Sequence, residues 1–170
     1  STHTFDDRLR TIRHAQDAGM SVCCGGILGL GETVEDRLRM IEILSNFNPP
    51  PESIPINSLM PIPGTPLAES QGVDVFDVAR IIAVTRIAVP NAKVRLSAGR
   101  NSLSEEGQAL CFFAGANSIF YGEKLLTTDN PQSTQDQHLL KKLGLVSQSP
   151  TPLLPAPVRD SDRPISPALA

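Results

Sequence analysis

Arg95 is the residue with the strongest chemical implication, because it lies in the middle of a predicted strand. A guanidinium group cannot be buried without partners. Arg95 therefore indicates either an anionic ligand or a structural ion pair, for which Glu32 is a candidate. Cys23 can ligate a metal or react, although a free cysteine is ordinarily a small buried filler. Asn57 suits a planar amide-like ligand or merely the end of a neighbouring strand. The residue types leave these alternatives open.

The other candidate groups point to packing or to solvent. Cys24 is expected to face the helices and Cys111 to lie among apolar neighbours, which favours core packing for both. Arg8 is most simply a solvated helix residue. The three histidines have no metal-ligand spacing, and the sequence contains no nucleophile elbow, phosphate loop or zinc pattern.

The segment VCCGGILGLGE, residues 22–32, predicts a short strand that ends in closely spaced glycines and leads into a helix. Thr33 and Asp36 form a capping-box pattern at the start of that helix. Free N–H groups at a helix start suit a nucleotide or another polar ligand, but a packed strand–turn–helix without a ligand is the favoured interpretation. A dinucleotide-binding fingerprint fits poorly, because Val34 stands where the third glycine should be.

Hydrophobic periodicity predicts one helix followed by four strand–helix units, which means parallel strands joined by helical crossovers. After a helix from Thr4 to Gly19, the predicted strands lie near 22–24 and at 53–60, 93–98 and 117–122, with helices at 34–47, 74–89, 102–114 and 133–143. Ser102 with Glu105 is the predicted capping box of the helix at 102–114. Residues 1–146 are expected to form one domain, and the proline-rich residues 147–170 a disordered tail.

Side-chain parity along the strands predicts one apolar and one polar face of the sheet. The apolar face carries Ile54, Ile56, Val94 and Leu96, and the polar face carries Cys23, Ser53, Asn57, Arg95 and Ser97, which Ser118 can join. A sheet covered by helices on both faces should be apolar on both. The asymmetry therefore favours part of a barrel with a polar ligand in its lumen over a small open sheet.

Composition narrows the range of functions. The chain has 170 residues, 40% of them hydrophobic, and a net charge of −3, so it can bury a core and is not expected to bind nucleic acid. No apolar run is long enough to predict a membrane span, and no signal peptide is recognisable. Three cysteines make no disulfide framework, which favours a reducing, cytoplasmic compartment.

Five strings, in this order and at these separations, resemble the C-terminal half of the biotin synthase family, which belongs to the radical S-adenosylmethionine enzymes. They are VCCGGILGLGE, PPESIPIN, GTPL, VRLSAGR and GANSIFYGEKLLTT. The similarity runs from about Phe5 to Leu145. VRLSAGR and GANSIFYG are specific to this family and its nearest relatives, whereas the spacing Gly25-x-Ile27-x-Gly29-x-x-Glu32 is shared more widely.

The resemblance implies an α/β fold in which the strand–helix repeats form the second half of a TIM-type (β/α)8 barrel. It also implies the insertion of sulfur into dethiobiotin to give biotin. In this family a 4Fe–4S cluster cleaves S-adenosylmethionine, a 2Fe–2S cluster supplies the sulfur, and a flavodoxin or ferredoxin supplies electrons. The full-length protein would be a homodimer.

The resemblance also implies roles for individual residues. Cys23 and Arg95 match ligands of the 2Fe–2S cluster, although a guanidinium is an unusual ligand because it holds its proton so strongly. Asn57 matches a residue that hydrogen-bonds dethiobiotin. The remaining matches are Ser53 and Ser118 beside that cluster, Arg8 in contact with S-adenosylmethionine, and Gly25, Gly26, Ile27 and Gly29 in the stretch that packs on its adenine.

One departure from the family is large. The C-x-x-x-C-x-x-C signature that holds the 4Fe–4S cluster is absent, since the only cysteines are Cys23, Cys24 and Cys111. We expect those ligands in a missing N-terminal half, and we expect the chain alone to be inactive and poorly soluble. The alternatives are a non-catalytic half-barrel that binds a partner, or part of a different radical S-adenosylmethionine enzyme.

Overall fold

Five α-helices and three strands alternate along residues 3–120 and 133–148, the part of the chain that the computed structural model describes. In chain order they are α1 (Phe5–Asp17), β1 (Gly26–Leu28), α2 (Val34–Ser45), β2 (Ser53–Ser58), α3 (Val75–Ala88), β3 (Lys93–Leu96), α4 (Glu105–Phe113) and α5 (Ser133–Lys142). A short 3₁₀ turn at Arg100–Ser102 separates β3 from α4. The predicted tail lies outside the described residues from residue 149 onward.

The three strands form a parallel sheet in the order β1-β2-β3, as the strand–helix repeats predict. Ile27 is paired with Asn57, and Ile54 with Val94. Helices α2 and α3 provide the crossovers between successive strands, which parallel pairing requires. This confirms the predicted parallel α/β architecture.

The hydrophobic core lies on one face of this sheet, beneath the helices. Ile54, Ile56, Val94 and Leu96 are at most 3% exposed, as the predicted parity requires. They pack in one cluster with buried residues of α2, α3 and α4, among them Ile82. Each such side chain contributes about 1.5–3 kcal/mol when it is fully buried. Core burial therefore fixes which side chains point to the opposite face.

The helix starts follow local capping chemistry. Thr4 with Asp7 and Thr33 with Asp36 form complete capping boxes at α1 and α2, as predicted. The prediction for α4 is wrong by two residues: Ser104 is the N-cap and accepts a hydrogen bond from the Gly107 amide.

Ser102 is occupied elsewhere. Its hydroxyl donates to the Gly99 carbonyl within the 3₁₀ turn, at 2.7 Å, and so it does not cap α4.

The strands are shorter than predicted, and the first one is displaced. β1 covers Gly26–Leu28, whereas Cys23 forms only an isolated parallel bridge with Ser53. The predicted fourth strand is represented by a single bridge between Ser118 and Arg95, and residues 121 and 122 lie outside the described part.

Two glycines explain the displacement of β1. A Cβ on Gly25 would lie 2.0 Å from the Pro55 carbonyl oxygen, and one on Gly26 would lie 2.2 Å from the Met40 sulfur. The glycines therefore permit close packing against β2 and α2 rather than ending the strand.

None of the helices among the described residues is both long and apolar enough to cross a membrane.

Candidate functional site

Four side chains of the predicted polar face lie close together. They belong to Cys23 and Ser53, which are paired in one bridge, and to Arg95 and Ser118, which are paired in another. The Arg95 guanidinium donates through Nη1 to the Cys23 sulfur at 3.8 Å and through Nε to the Ser118 hydroxyl at 3.2 Å. The Cys23 thiol lies 3.4 Å from the Ser53 hydroxyl. Parallel pairing of their segments brings together residues up to 95 positions apart in the chain, from Cys23 to Ser118.

Phe120 covers one face of this group and was missed by the sequence analysis. Its ring lies over the Arg95 guanidinium, 4.8 Å from the centroid to the guanidinium carbon. A cation–π contact of this kind contributes about 0.5–1 kcal/mol at an exposed site. Strand parity offered a signal, because Phe120 follows Ser118 by two residues.

Cys23 differs from the other two thiols in exposure. Cys23 is exposed, Cys24 is half-buried and Cys111 is buried. Burial, with the neighbouring Cys23 as a smaller cause, raises the pKa of Cys24 above its ordinary value. Burial alone raises the pKa of Cys111 to about 11. Both thiols therefore stay protonated near neutral pH, and the predicted packing role of Cys24 and Cys111 is confirmed by their contacts with the core.

Asn57 joins the ends of the three strands. Its side-chain amide donates to the Gly26 carbonyl at 2.9 Å, and its carbonyl accepts from the Ala98 amide at 3.1 Å. The sequence left open whether Asn57 binds a ligand or bonds to neighbouring strand ends, and these two hydrogen bonds are of the second kind. One N–H and one lone pair of the carboxamide remain for a further partner.

Glu32 organises the glycine-rich loop after β1. Its carboxylate accepts the Gly29 amide at 2.8 Å and the Leu30 amide at 2.7 Å, and it forms an ion pair with Arg37 at 2.8 Å. The predicted alternative of a Glu32–Arg95 ion pair is therefore wrong. The backbone N–H groups of Gly29 and Leu30 are therefore used within the loop itself.

The electrostatic balance at Glu32 favours the carboxylate. Partial burial opposes ionisation, but the Gly29 and Leu30 amides and the Arg37 guanidinium outweigh it, so the pKa of Glu32 is lowered.

The remaining predicted site residues lie apart from the Cys23–Arg95 group. Ile27 in β1 is 49% exposed. Gly29, two residues later, adopts a left-handed conformation with φ +96°. Gly25 and Gly26 are packed against β2 and α2. Arg8 is exposed on α1, and its side chain makes no ion pair with another described residue.

The sequence analysis also missed a buried ion pair between Arg100, in the 3₁₀ turn after β3, and Asp136 of α5. Arg100 is 6% exposed and donates to both carboxylate oxygens of Asp136, at 2.5 and 3.0 Å, and to the Gln108 side-chain oxygen at 3.0 Å. Every buried side-chain polar atom of the described residues has a hydrogen-bond partner. Arg100 thus joins α5 to the rest of the fold.

The described residues hold no group of three or more histidine, cysteine, aspartate or glutamate side chains placed to bind a metal ion. The Cys23–Arg95 group alone offers one exposed sulfur beside a positive charge. That arrangement can supply part of a cluster or anion site, with further ligands coming from another segment.

Fold and site together define a parallel α/β sheet with one apolar face and one polar face. The chain belongs to the family described as Biotin and Thiamin Synthesis associated domain, whose model matches residues 55–146. It is 58% identical over 147 residues to a biotin synthase from Azoarcus sp. and 60% identical over 145 residues to one from Gloeobacter violaceus. The resemblance found in the sequence is therefore confirmed.

The matched regions cover 86% and 85% of this chain but only 45% and 46% of those two relatives. The chain thus spans less than half the length of the curated relatives that it matches.

Two solved structures share the fold. One is methylornithine synthase (PylB), with a TM-score of 0.64, 21% sequence identity, and coverage of 87% of this chain and 47% of that one. The other is the FeFe-hydrogenase maturase HydG from Carboxydothermus hydrogenoformans, with a TM-score of 0.65, 19% identity, and coverage of 84% and 36%. At these identities the likeness concerns the fold.

Proposed function

We propose that this chain is the C-terminal part of a biotin synthase, which converts dethiobiotin to biotin by radical S-adenosylmethionine chemistry. The observation that carries the proposal is the contact between the Cys23 sulfur and the Arg95 guanidinium on the polar face. Identity of 58–60% to curated biotin synthases supports the same assignment.

In this proposal the sheet is the second half of a (β/α)8 barrel. Among the described residues, the helices form their core against the apolar face, so the polar face with Arg95 becomes the inner wall when further strands continue the sheet. A closed lumen has a chemical purpose, because a primary carbon radical attacks exposed protein or dissolved molecules.

Cys23 and Arg95 fit the 2Fe–2S cluster as part of its ligand set. The Cys23 thiol is exposed on the site face, and thiolate is the usual ligand of such clusters. Arg95 places a fixed positive charge 3.8 Å from that sulfur, which offsets the negative charge of thiolate ligands. Ser118 and Phe120 hold the guanidinium in place. When bound, this cluster supplies the sulfur atom.

The residues of this chain do not fit the 4Fe–4S cluster, because three cysteines without the C-x-x-x-C-x-x-C spacing cannot hold it. We assign those ligands to a segment beyond this chain. For S-adenosylmethionine the chain offers an apolar surface at Ile27 in β1, beside the loop that begins at Gly29, and a cation at Arg8.

Asn57 is our candidate for contact with dethiobiotin. Its carboxamide is held by Gly26 and Ala98, which leaves one donor and one acceptor, and a cyclic urea offers the matching pair. A group fixed by two hydrogen bonds orients a ligand at little further loss of side-chain entropy.

The rest of the proposal concerns the whole protein. We place it in the cytoplasm, where thiols stay reduced, as a homodimer that receives electrons from a flavodoxin or ferredoxin.

A chimera tests the function directly. Residues 1–148 replace the matching region of the Azoarcus biotin synthase, the protein is reconstituted anaerobically with iron and sulfide, and biotin formed from dethiobiotin is measured. We expect biotin formation and the visible absorption of a 2Fe–2S cluster. A chimera that folds but makes no biotin and carries no such cluster would favour a non-catalytic remnant.

Adjacent cysteines supply the matched control. Cys23→Ala should abolish both the 2Fe–2S absorption and biotin formation, whereas Cys24→Ala should keep them, because Cys24 packs toward the helices. Arg95→Met should weaken cluster retention less than Cys23→Ala, since a guanidinium that holds its proton is a poor ligand. Unchanged cluster content in Cys23→Ala would refute the assignment.

A further inference from the structure

The loop that follows β1 takes its shape from a carboxylate rather than from its glycines alone. Glu32 binds the amides of Gly29 and Leu30, at 2.8 and 2.7 Å, and so closes the loop on itself. Gly29 has φ +96°, a conformation that other residues rarely adopt. The loop therefore has one defined shape as long as the Glu32 carboxylate stays in position.

Arg37 holds that carboxylate from α2 and joins it to α3. Its Nε donates to Glu32 at 2.8 Å, and its Nη1 donates to Asp77 at 3.3 Å. The Arg37 side chain is 11% exposed and that of Glu32 is 18% exposed, so solvent screens this pair less than a surface pair. Asp77 is in the first turn of α3, inside the region matched by the family model, whereas the loop precedes that region.

The loop and the adjoining residues of β1 together present an apolar surface toward solvent. Ile27 is 49% exposed and Leu30 is 51% exposed, one on each side of Gly29. Exposed aliphatic side chains on a fixed loop suit the face of a flat heterocycle. Their relative positions depend on the loop conformation that Glu32 and Arg37 maintain.

We propose that Arg37 and Asp77 are positioning residues for S-adenosylmethionine, which hold the loop at residues 28–32 in the conformation that binds its adenine. This inference rests on the proposed function and adds residues that the glycine-rich motif does not contain. Neither side chain needs to touch the ligand. Asp77 contributes less than Glu32, because it also binds Arg80 and its side chain is 36% exposed.

The test uses the same chimera and two measurements. Equilibrium dialysis with labelled S-adenosylmethionine gives its Kd, and amide hydrogen exchange follows a peptide covering residues 26–33 without ligand. For Arg37→Met we expect a Kd raised about tenfold or more and faster exchange, because a charge-assisted hydrogen bond is lost. Asp77→Asn should change both in the same direction by a smaller factor.

Arg39→Met is the matched control, because Arg39 lies on the same helix in an exposed pair with Glu42 and does not contact the loop. It should leave Kd and exchange unchanged. If Arg37→Met does not fold, Arg37→Lys and Asp77→Asn decide the question.

Unchanged Kd in folded Arg37 and Asp77 variants would overturn the positioning role, whether or not the loop exchanges faster. If the parent chimera itself binds no S-adenosylmethionine, the proposed function fails and this role fails with it.

Discussion

Replacing Asp136 with asparagine tests how α5 is held in the fold. Asp136 is the only acidic residue in the first turn of α5, and its carboxylate receives two hydrogen bonds from Arg100. Asparagine keeps the size of the side chain and removes its charge. The substitution therefore leaves the Arg100 cation buried without a counter-ion.

The expected loss is large because both partners are buried. The side chains are 7% and 2% exposed, and Gln108 satisfies only one further N–H of Arg100. Breaking a buried pair by removing one partner costs about 3–5 kcal/mol. A typical domain is stable by about 5–15 kcal/mol, so this loss is a large fraction of the total.

Urea unfolding followed by circular dichroism measures this loss. The midpoint for Asp136→Asn should fall by about 2 M, given a typical dependence on urea of about 1–3 kcal/mol per M. The control is Lys142→Met, which removes an exposed ion pair with Glu105 that joins the same helix to α4. That variant should unfold at the parental midpoint.

A double variant separates the lost charge from lost packing. Arg100→Met with Asp136→Leu removes both charges and should recover most of the stability, because two apolar groups need no counter-ion. Equal midpoints for Asp136→Asn and Lys142→Met would refute the view that burial decides the strength of these pairs.

Three further predictions concern the site. Gly25→Ala should lower the free energy of unfolding by about 1–3 kcal/mol, because the added Cβ meets a backbone carbonyl of β2. Gly26→Ala should lower it less, because the added Cβ meets the flexible side chain of Met40. Urea midpoints compare the two variants, and equal losses would contradict the reasoning. Iodoacetamide at pH 8 should modify Cys23 long before Cys111, because Cys23 is exposed, whereas Cys111 is buried and its raised pKa of about 11 keeps the thiol protonated. Mass spectrometry of the peptides measures both rates, and equal rates would refute this expectation. Because the pKa of Glu32 is lowered from 4.5, the stability that its carboxylate gives the loop is present above pH 4.5 and is lost as the pH falls further. Amide exchange of residues 26–33, corrected for intrinsic rates, should therefore become faster at low pH in the parent and stay independent of pH in Glu32→Gln.

The helices could be predicted well, because their signals are local. The side chains of Thr4 and Thr33 each accept a hydrogen bond from the amide three residues later, so no distant residue is needed to recognise these caps. Ser102 failed as a predicted cap because Ser104 competes with it two residues later. Only the three-dimensional path of the 3₁₀ turn decides between them.

The strands depend on neighbours that the sequence does not display. Gly25 and Gly26 argue against a strand on propensity, yet the nearness of the β2 backbone to Gly25 and of Met40 to Gly26 favours glycine at both positions. Parity nevertheless predicted the polar face, because the apolar side chains of β2 and β3 fall on every second position. Arg95 and Cys23 meet on that face, whereas Arg37 and Arg100 found carboxylate partners that no local pattern indicates.

The alternation of side chains in β2 and β3 also divides the positions of these strands into two groups with different roles. Even-numbered positions such as Ile54 and Val94 determine whether the protein folds, while odd-numbered positions such as Asn57 and Arg95 line the opposite side. Substitutions at Asn57 and Arg95, which are partly exposed, therefore leave the apolar core in place, whereas Ser53 and Ser97 are themselves buried. A library that varies only Asn57 and Arg95 can therefore change the chemistry of the polar face without changing the apolar side chains of the core.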